Sequence, residues 1–534
     1  MEKDKYLLSK PTAYCFASAP PETSQPSVSQ QEYSQYGYLQ QEYPQQPNPT
    51  LSYSPQQQYN IPLPPPKYEP PPSHAPPHNT VQVRPSGFFN RIQTNRPQMN
   101  VLNAAALIFI SGGMNIAWSI GFRSRLYYNI TTHVSVAWFI GAIIGAAISG
   151  FLPKFLPKRA ITLFCSMLTI IGGIVNASTH YNINALTAAL YMNGIANGLV
   201  FAPTLVVAGE LAVFYMRGKI CSSTEQLSFN FGIFLQILIH STSSDSTCHY
   251  DGFNPDRISG ILSAVFGFIG LCLAALLFIE SPVALLDMGL EDHATDALRR
   301  LQHPFTFNGE TYAQLAEHKL YVAENKQLSS EQSAVEACPA FVKLCILRVL
   351  NAMSISSFIY YALWLSTDDF YKENETRSTF LIFGACRLLG SFITSFLMDS
   401  IGRKKSTLLG LIVCGCLAIG IGNQYHFPDY KYVELLLDIF QAFAGVAFAA
   451  SSAYLAEAYP LKVKQHFISF TFIVELVVFI VITSHDVVNE FFYVIGGIYI
   501  AVFLLSIWSL PETRRTTLLE SQRRFRGCCG SKRP

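Results

Sequence analysis

Residues 395–405 read SFLMDSIGRKK, and this stretch decides the fold. It sets an acid (Asp399), a turn glycine (Gly402) and three cations (Arg403, Lys404, Lys405) between two apolar runs. Each run is long enough to cross a bilayer. Cations do not enter hydrocarbon cheaply, so the turn must lie at a membrane surface. An excess of Lys and Arg in a short loop marks that surface as the cytoplasmic one. An ordinary positive-inside loop would look the same, so the rest of the chain has to decide.

The chain has 534 residues, 50% of them hydrophobic and only 13% charged, which excludes an ordinary soluble protein. Its apolar residues are bunched into runs of about 18 to 22, the length that crosses about 30 Å of hydrocarbon. A net charge of +2 carries no signature of nucleic-acid binding. The 12 cysteines show no zinc or redox spacing. No catalytic constellation appears, so neither an enzyme, a cofactor nor a metal site is expected. The start, MEKDKYLLSKP, has no apolar core, and no cleavable signal peptide is expected.

Twelve spans are predicted, at 101–121, 134–153, 160–177, 185–208, 219–241, 258–279, 341–366, 379–398, 406–423, 432–456, 466–484 and 490–509. Both chain ends then share one side, and only Cys248 lies on the other, so no extracellular disulfide is expected. The expected fold class is an all-α membrane protein of twelve transmembrane helices in two six-helix bundles, 100–279 and 341–510. A helical cytoplasmic linker, 280–340, joins them. Lys154, Lys158, Arg159, Arg217, Lys219, Arg403, Lys404, Lys405, Lys462 and Lys464 all fall on the side of the termini, making it cytoplasmic. The sequons at Asn129, Asn176 and Asn374 all fall on the opposite side. Asn176 lies close to the membrane, so Asn129 and Asn374 are the expected glycosylation sites, in a protein of the plasma membrane.

Residues 1–99 hold about two-thirds of the 30 prolines, mixed with Gln, Ser and Tyr. Such a composition cannot bury a core and is expected to be a disordered cytoplasmic tail. Within it Pro65-Pro66-Lys67-Tyr68 resembles the PPxY ligand of WW domains, which grip a preformed polyproline helix. A WW-bearing ubiquitin ligase is the partner this implies. The tail 511–534 ends in SQRRFRGCCGSKRP, whose basic cluster suits an anionic leaflet and whose Cys528 and Cys529 are candidates for palmitoylation.

The two halves echo each other. Glu210 closes the fourth span and Arg217 follows seven residues later; Glu457 closes the tenth and Lys464 follows seven later. An acid leaving one helix and a cation entering the next suit a charge network that holds two bundles together in one state. Asp399-x-x-Gly402-Arg403-Lys404 resembles the D-x-x-G-R-[RK] loop of the major facilitator superfamily. GELAVFYMRG, Glu280-Ser281-Pro282, Glu457-Ala458-Tyr459-Pro460 and Pro511-Glu512-Thr513 resemble the E-x6-RG, PESP, E-[LI]-[FY]-P and PET signatures of its sugar porter family. Trp138-Phe-Ile-Gly is similar to a motif of insect trehalose-type members. The resemblance spans about 101–520 and implies transport of a sugar or related small polar solute by alternating access. Departures stand beside it. Lys154 and Pro157 replace the acid and glycine of the first-half loop, Leu190 an arginine, Ser452 a tryptophan and Leu350 a glutamine.

The resemblance also implies a pocket. Gln226 stands in the family's glutamine segment, Asn351 at its second glutamine, Ser356 at its asparagine, and Tyr360 and Tyr361 at its aromatic pair. Buried amides equally glue membrane helices together, and tyrosines pack. Glu475 and Arg387 are ionisable residues inside predicted spans. They suggest proton coupling, with Arg387 neutralising Glu475 or meeting an anionic substrate. Two other readings stay open: an organic-ion carrier of the same superfamily, and a non-transporting receptor with a decayed pocket.

Overall fold

A computed structural model describes residues 92–123, 130–179, 182–242, 255–368, 373–424, 432–485 and 490–527. Pro65, Pro66, Tyr68, Asn129, Cys528 and Cys529 lie outside these residues. Helix dominates, and no strand occurs among the described residues.

The first half runs through Arg96–Ile120, Thr132–Ser149, Lys158–Ser178, Ile183–Leu211, the pair Arg217–Thr224 and Gln226–Thr242, and Pro255–Leu277. The second half runs through Ser330–Ser354 and Ser357–Asp368, then Glu373–Ile401, Arg403–Gln424, Val433–Phe448 and Ser451–Ala458, Leu461–Ser484 and Phe491–Ser509. Eleven of these stretches are helices long and apolar enough to cross a membrane. The fifth predicted span is the exception, because its helix is broken at Glu225. The seventh and tenth break too, at Ile355–Ser356 and at Ala449–Ala450. The eighth span starts earlier than predicted, so Asn374 falls in its first turn rather than in a loop.

Packing repeats between the halves. The first span packs on the fifth, the second on the fourth and the third on the sixth; the seventh packs on the eleventh, the eighth on the tenth and the ninth on the twelfth. Small residues allow it: a Cβ on Gly198 would come 2.1 Å from the carbonyl of Ala142, and one on Gly390 would come 2.0 Å from that of Ala442. Second against eleventh and fifth against eighth then join the halves.

Between the halves lie the helices Pro282–Asp287, Glu291–Arg300 and Gly309–Gln327, with Ser329 and Gln332 forming a capping box at the start of the seventh span. A last helix, Leu518–Arg526, packs on this linker through Gln522 Nε2, which donates to Tyr321 Oη at 3.0 Å. The face carrying the linker and this last helix is called the terminal face below.

Candidate functional site

Two polar layers are built into the apolar frame. The first lies among the spans themselves. Arg348, on the seventh span, donates from Nη1 and Nη2 to the two oxygens of Glu225 at 2.8 and 2.9 Å. The same Nη1 donates to Glu475, on the eleventh span, at 3.2 Å. Glu225 sits at the break in the fifth span and also accepts from Gln226 Nε2 at 3.0 Å and from Ser452 Oγ at 2.5 Å. Asn351, one turn after Arg348, donates to Glu475 at 2.7 Å and accepts from Arg387 Nη2 at 3.1 Å. Arg387 further donates to Asn230 at 2.9 Å, Ser354 at 3.0 Å and Gln441 at 2.9 Å. All these side chains are buried. Four formal charges, two of each sign, thus lie inside a membrane-spanning bundle, where each alone would cost several kcal/mol.

The cation in contact with Glu475 is therefore Arg348, while Arg387 reaches Glu475 only through the Asn351 amide. Gln226 and Asn351 both enter this cluster. Ser356 lies at the break of the seventh span, its hydroxyl directed to the Met353 carbonyl at 3.4 Å. Tyr360 meets Phe122 of the first half edge to face, ring centres 4.8 Å apart, with Phe380 nearby, so it closes the end of the bundle opposite the terminal face. Tyr361 is 39% exposed beside Trp364 and stands outside the cluster. Glu225, Arg348, Asn230 and Gln441 are additions to the predicted set. Glu225 and Arg348 are ionisable residues within predicted spans, a pattern that points to function by default, whereas the neutral amides Asn230 and Gln441 carry no such signal.

The second layer lies at the terminal face, and its pairs cross between halves. Glu210, ending the fourth span, lies 3.5 Å from Lys158 of its own half and 3.6 Å from Lys464 of the other. Glu457, ending the tenth, pairs with Arg403 of its own half and lies 3.8 Å from Arg217 of the other. Each acid is thus held by a cation from the preceding loop of its own half and by one from the opposite half. Asp399 adds a further crossing, accepting from the backbone N–H of Lys219 at 2.8 Å, at the start of the short helix Arg217–Thr224. Gly402 has φ +109°, the left-handed turn that glycine permits. Beyond it the free N–H groups of Arg403 and Lys404 donate to Glu512 at 3.1 Å each, while Lys404 Nζ donates to the Ile507 carbonyl at 2.6 Å. Glu512 is the acid of the Pro-Glu-Thr triplet, so that triplet caps the ninth span.

His318, on the linker helix Gly309–Gln327, is fully buried against this layer, and neither ring nitrogen has a hydrogen-bond partner. Burial, and then the Arg217 cation, push its pKa from the ordinary 6.5 down to about 3, against the pull of Glu210. No cluster of metal-ligating residues occurs among the described residues.

A profile of the family described as "Sugar (and other) transporter" matches residues 101–525. Hexose transporter 2 of Kluyveromyces lactis is 24% identical over 437 residues, covering 75% of this chain and 74% of that protein. The major myo-inositol transporter IolT of Bacillus subtilis is 23% identical, covering 80% and 95%. The fold is similar to a solved structure of the proton:xylose symporter XylE bound to 6-bromo-6-deoxy-D-glucose. That match has a TM-score of 0.67 at 17% identity, covering 81% of this chain and 99% of the other.

Proposed function

The chain belongs to the sugar (and other) transporter family, and on that premise we propose that it carries a sugar or related polyol across a membrane by rocking its two halves around the central cluster. The observation that carries this reading is the crossed pairing at the terminal face. Glu210 with Lys464 and Glu457 with Arg217 close the halves over the cluster. Buried ion pairs add little net stability, because desolvation offsets their attraction. They are therefore suited to a contact that must form and part in every cycle. The terminal face is the cytoplasmic one, and the opposite face opens outside the cell at the plasma membrane.

In this reading the bundles 100–279 and 341–510 move, the linker 280–340 rides on the cytoplasmic face, and the tails 1–99 and 511–534 regulate. Gln226, Asn351 and Ser356 turn toward solute once the cluster opens, and Tyr360 gates the outer end. Glu475 accepts the coupled proton. Asn129 and Asn374 carry glycans, and Pro65, Pro66 and Tyr68 bind a WW domain. The test is uptake of labelled glucose, trehalose and myo-inositol into vesicles carrying the protein, with and without a pH gradient. Saturable uptake supports a carrier, and a response to the gradient supports proton coupling. No uptake of any of the three counts against the reading.

A further inference from the structure

Arg387 lies near the middle of the eighth span as a buried guanidinium whose four acceptors are all neutral. This differs from Arg348, which grips Glu225 with two bonds and touches Glu475 with a third contact. One side of Arg387 is fixed: Nη1 donates to Ser354 Oγ and to Gln441 Oε1 at 3.0 and 2.9 Å. The other side, the edge formed by Nε and Nη2, meets two separate amide oxygens. Asn230 of the first half stands at 2.9 Å and Asn351 of the second at 3.1 Å. A carboxylate docks on that edge of an arginine with two parallel hydrogen bonds. Two oxygens from different helices now stand where the two oxygens of one carboxylate would sit.

We propose that the carried solute bears a carboxylate, as a sugar acid does, and that this group docks on the Nε/Nη2 edge of Arg387 in place of Asn230 and Asn351. The inference rests on the carrier reading above and names its substrate class. Charge-assisted bidentate bonds replace neutral ones, so the guanidinium gains a counter-charge it lacks at hydrogen-bond distance. The displaced amides, with Gln441, then face the hydroxyls of the same solute, which amides recognise by donating and accepting at once. Releasing Asn230 also breaks a bond between the halves, since it lies on the fifth span and Arg387 on the eighth. Binding of the acid group and loosening of the halves are then one event.

The experiment uses the purified full-length chain in liposomes, with labelled D-glucuronate, D-galacturonate, D-gluconate and D-glucose. Wild-type protein is expected to take up at least one of the acids saturably. That acid, unlabelled, is expected to inhibit at a concentration lower than glucose does by about tenfold or more. Arg387→Gln removes the preference, and so does Arg387→Lys, which keeps the charge but not the two-point edge. The wild-type comparison decides the matter even where a variant fails to fold. Glucose carried while no acid is carried or inhibits overturns the inference and leaves the carrier reading standing. Uptake of none of the four overturns the inference, and the carrier reading falls with it only where trehalose and myo-inositol are not taken up either.

Discussion

The carboxylate of Glu457 lies 3.8 Å from the guanidinium of Arg217, and the two belong to opposite halves of the chain. Glu210 and Lys464 repeat the arrangement with the halves exchanged, at 3.6 Å. The matched seven-residue intervals in the sequence are the trace of this exchange: the cation seven residues after each acid belongs to the other acid.

Removing one member of a crossed pair leaves a buried charge without its partner. Glu457→Gln takes from Arg217 and Arg403 their shared acid, leaving Glu317 at 3.7 Å from Arg217 and Asp399 at 3.6 Å from Arg403, and the closed terminal face loses about 1–3 kcal/mol. The check is labelling of a cysteine introduced at the terminal face. Labelling quickens in Glu457→Gln, and transport falls more than about tenfold. Exchanging charges in the other pair, Glu210→Lys with Lys464→Glu, recovers part of what either single change removes, as a double-mutant cycle would register.

Arg348 holds two carboxylates at once. Arg348→Gln leaves Glu225 and Glu475 facing each other without a cation, at a cost of about 3–5 kcal/mol. Thermal unfolding in detergent drops by several degrees, and adding Glu225→Gln restores much of the loss. If the double variant is no more stable than the single one, the two side chains are not coupled as described.

Gly402 carries a positive φ, and a Cβ there would come 2.7 Å from Glu512 Oε2. Gly402→Ala therefore costs about 1–2 kcal/mol from backbone strain alone and pushes away the carboxylate that caps the ninth span. The same unfolding measurement reads this change. Glu512→Gln also destabilises, because it turns one of the two oxygens that accept the Arg403 and Lys404 N–H groups into an amide NH2 that cannot accept.

His318 makes closure depend on pH. Above its ordinary value of 6.5 the ring is neutral whether the terminal face is closed or open. Below that value an open, hydrated His318 takes a proton that the buried one refuses until about pH 3. The open form therefore binds more protons, and the closed form loses about 1.4 kcal/mol per pH unit over that window. Terminal-face labelling should rise between about pH 7.5 and about pH 5.5. His318→Leu should flatten that rise, and an unchanged slope would remove His318 from the account.

The fold was legible because membrane spans announce themselves by length and apolarity. The lock was legible as spacing: Glu210, Arg217, Glu457 and Lys464 were singled out, but nothing in one sequence says that partners 254 or 240 positions apart will meet. The central cluster was half legible. Asn351, Gln226, Arg387 and Glu475 stood out, yet Glu225 was hidden beside Gln226 at a helix break no periodicity reveals. Arg348, three residues before Asn351, reads in isolation as an interfacial cation, and only the fold shows it buried between two acids. Ser452 stands where the family's pattern has a large aromatic, and the structure shows its hydroxyl on Glu225.

The central claim is that this chain carries a sugar-type solute through the cluster centred on Asn351. The direct measurement is counterflow in liposomes holding purified protein, with glucose, trehalose, myo-inositol and glucuronate as labelled solutes and Asn351→Ala beside the wild type. The account predicts saturable counterflow of at least one solute, reduced about tenfold or more in the variant. Counterflow no greater than in empty liposomes for all four, from protein that is folded and inserted, would contradict it.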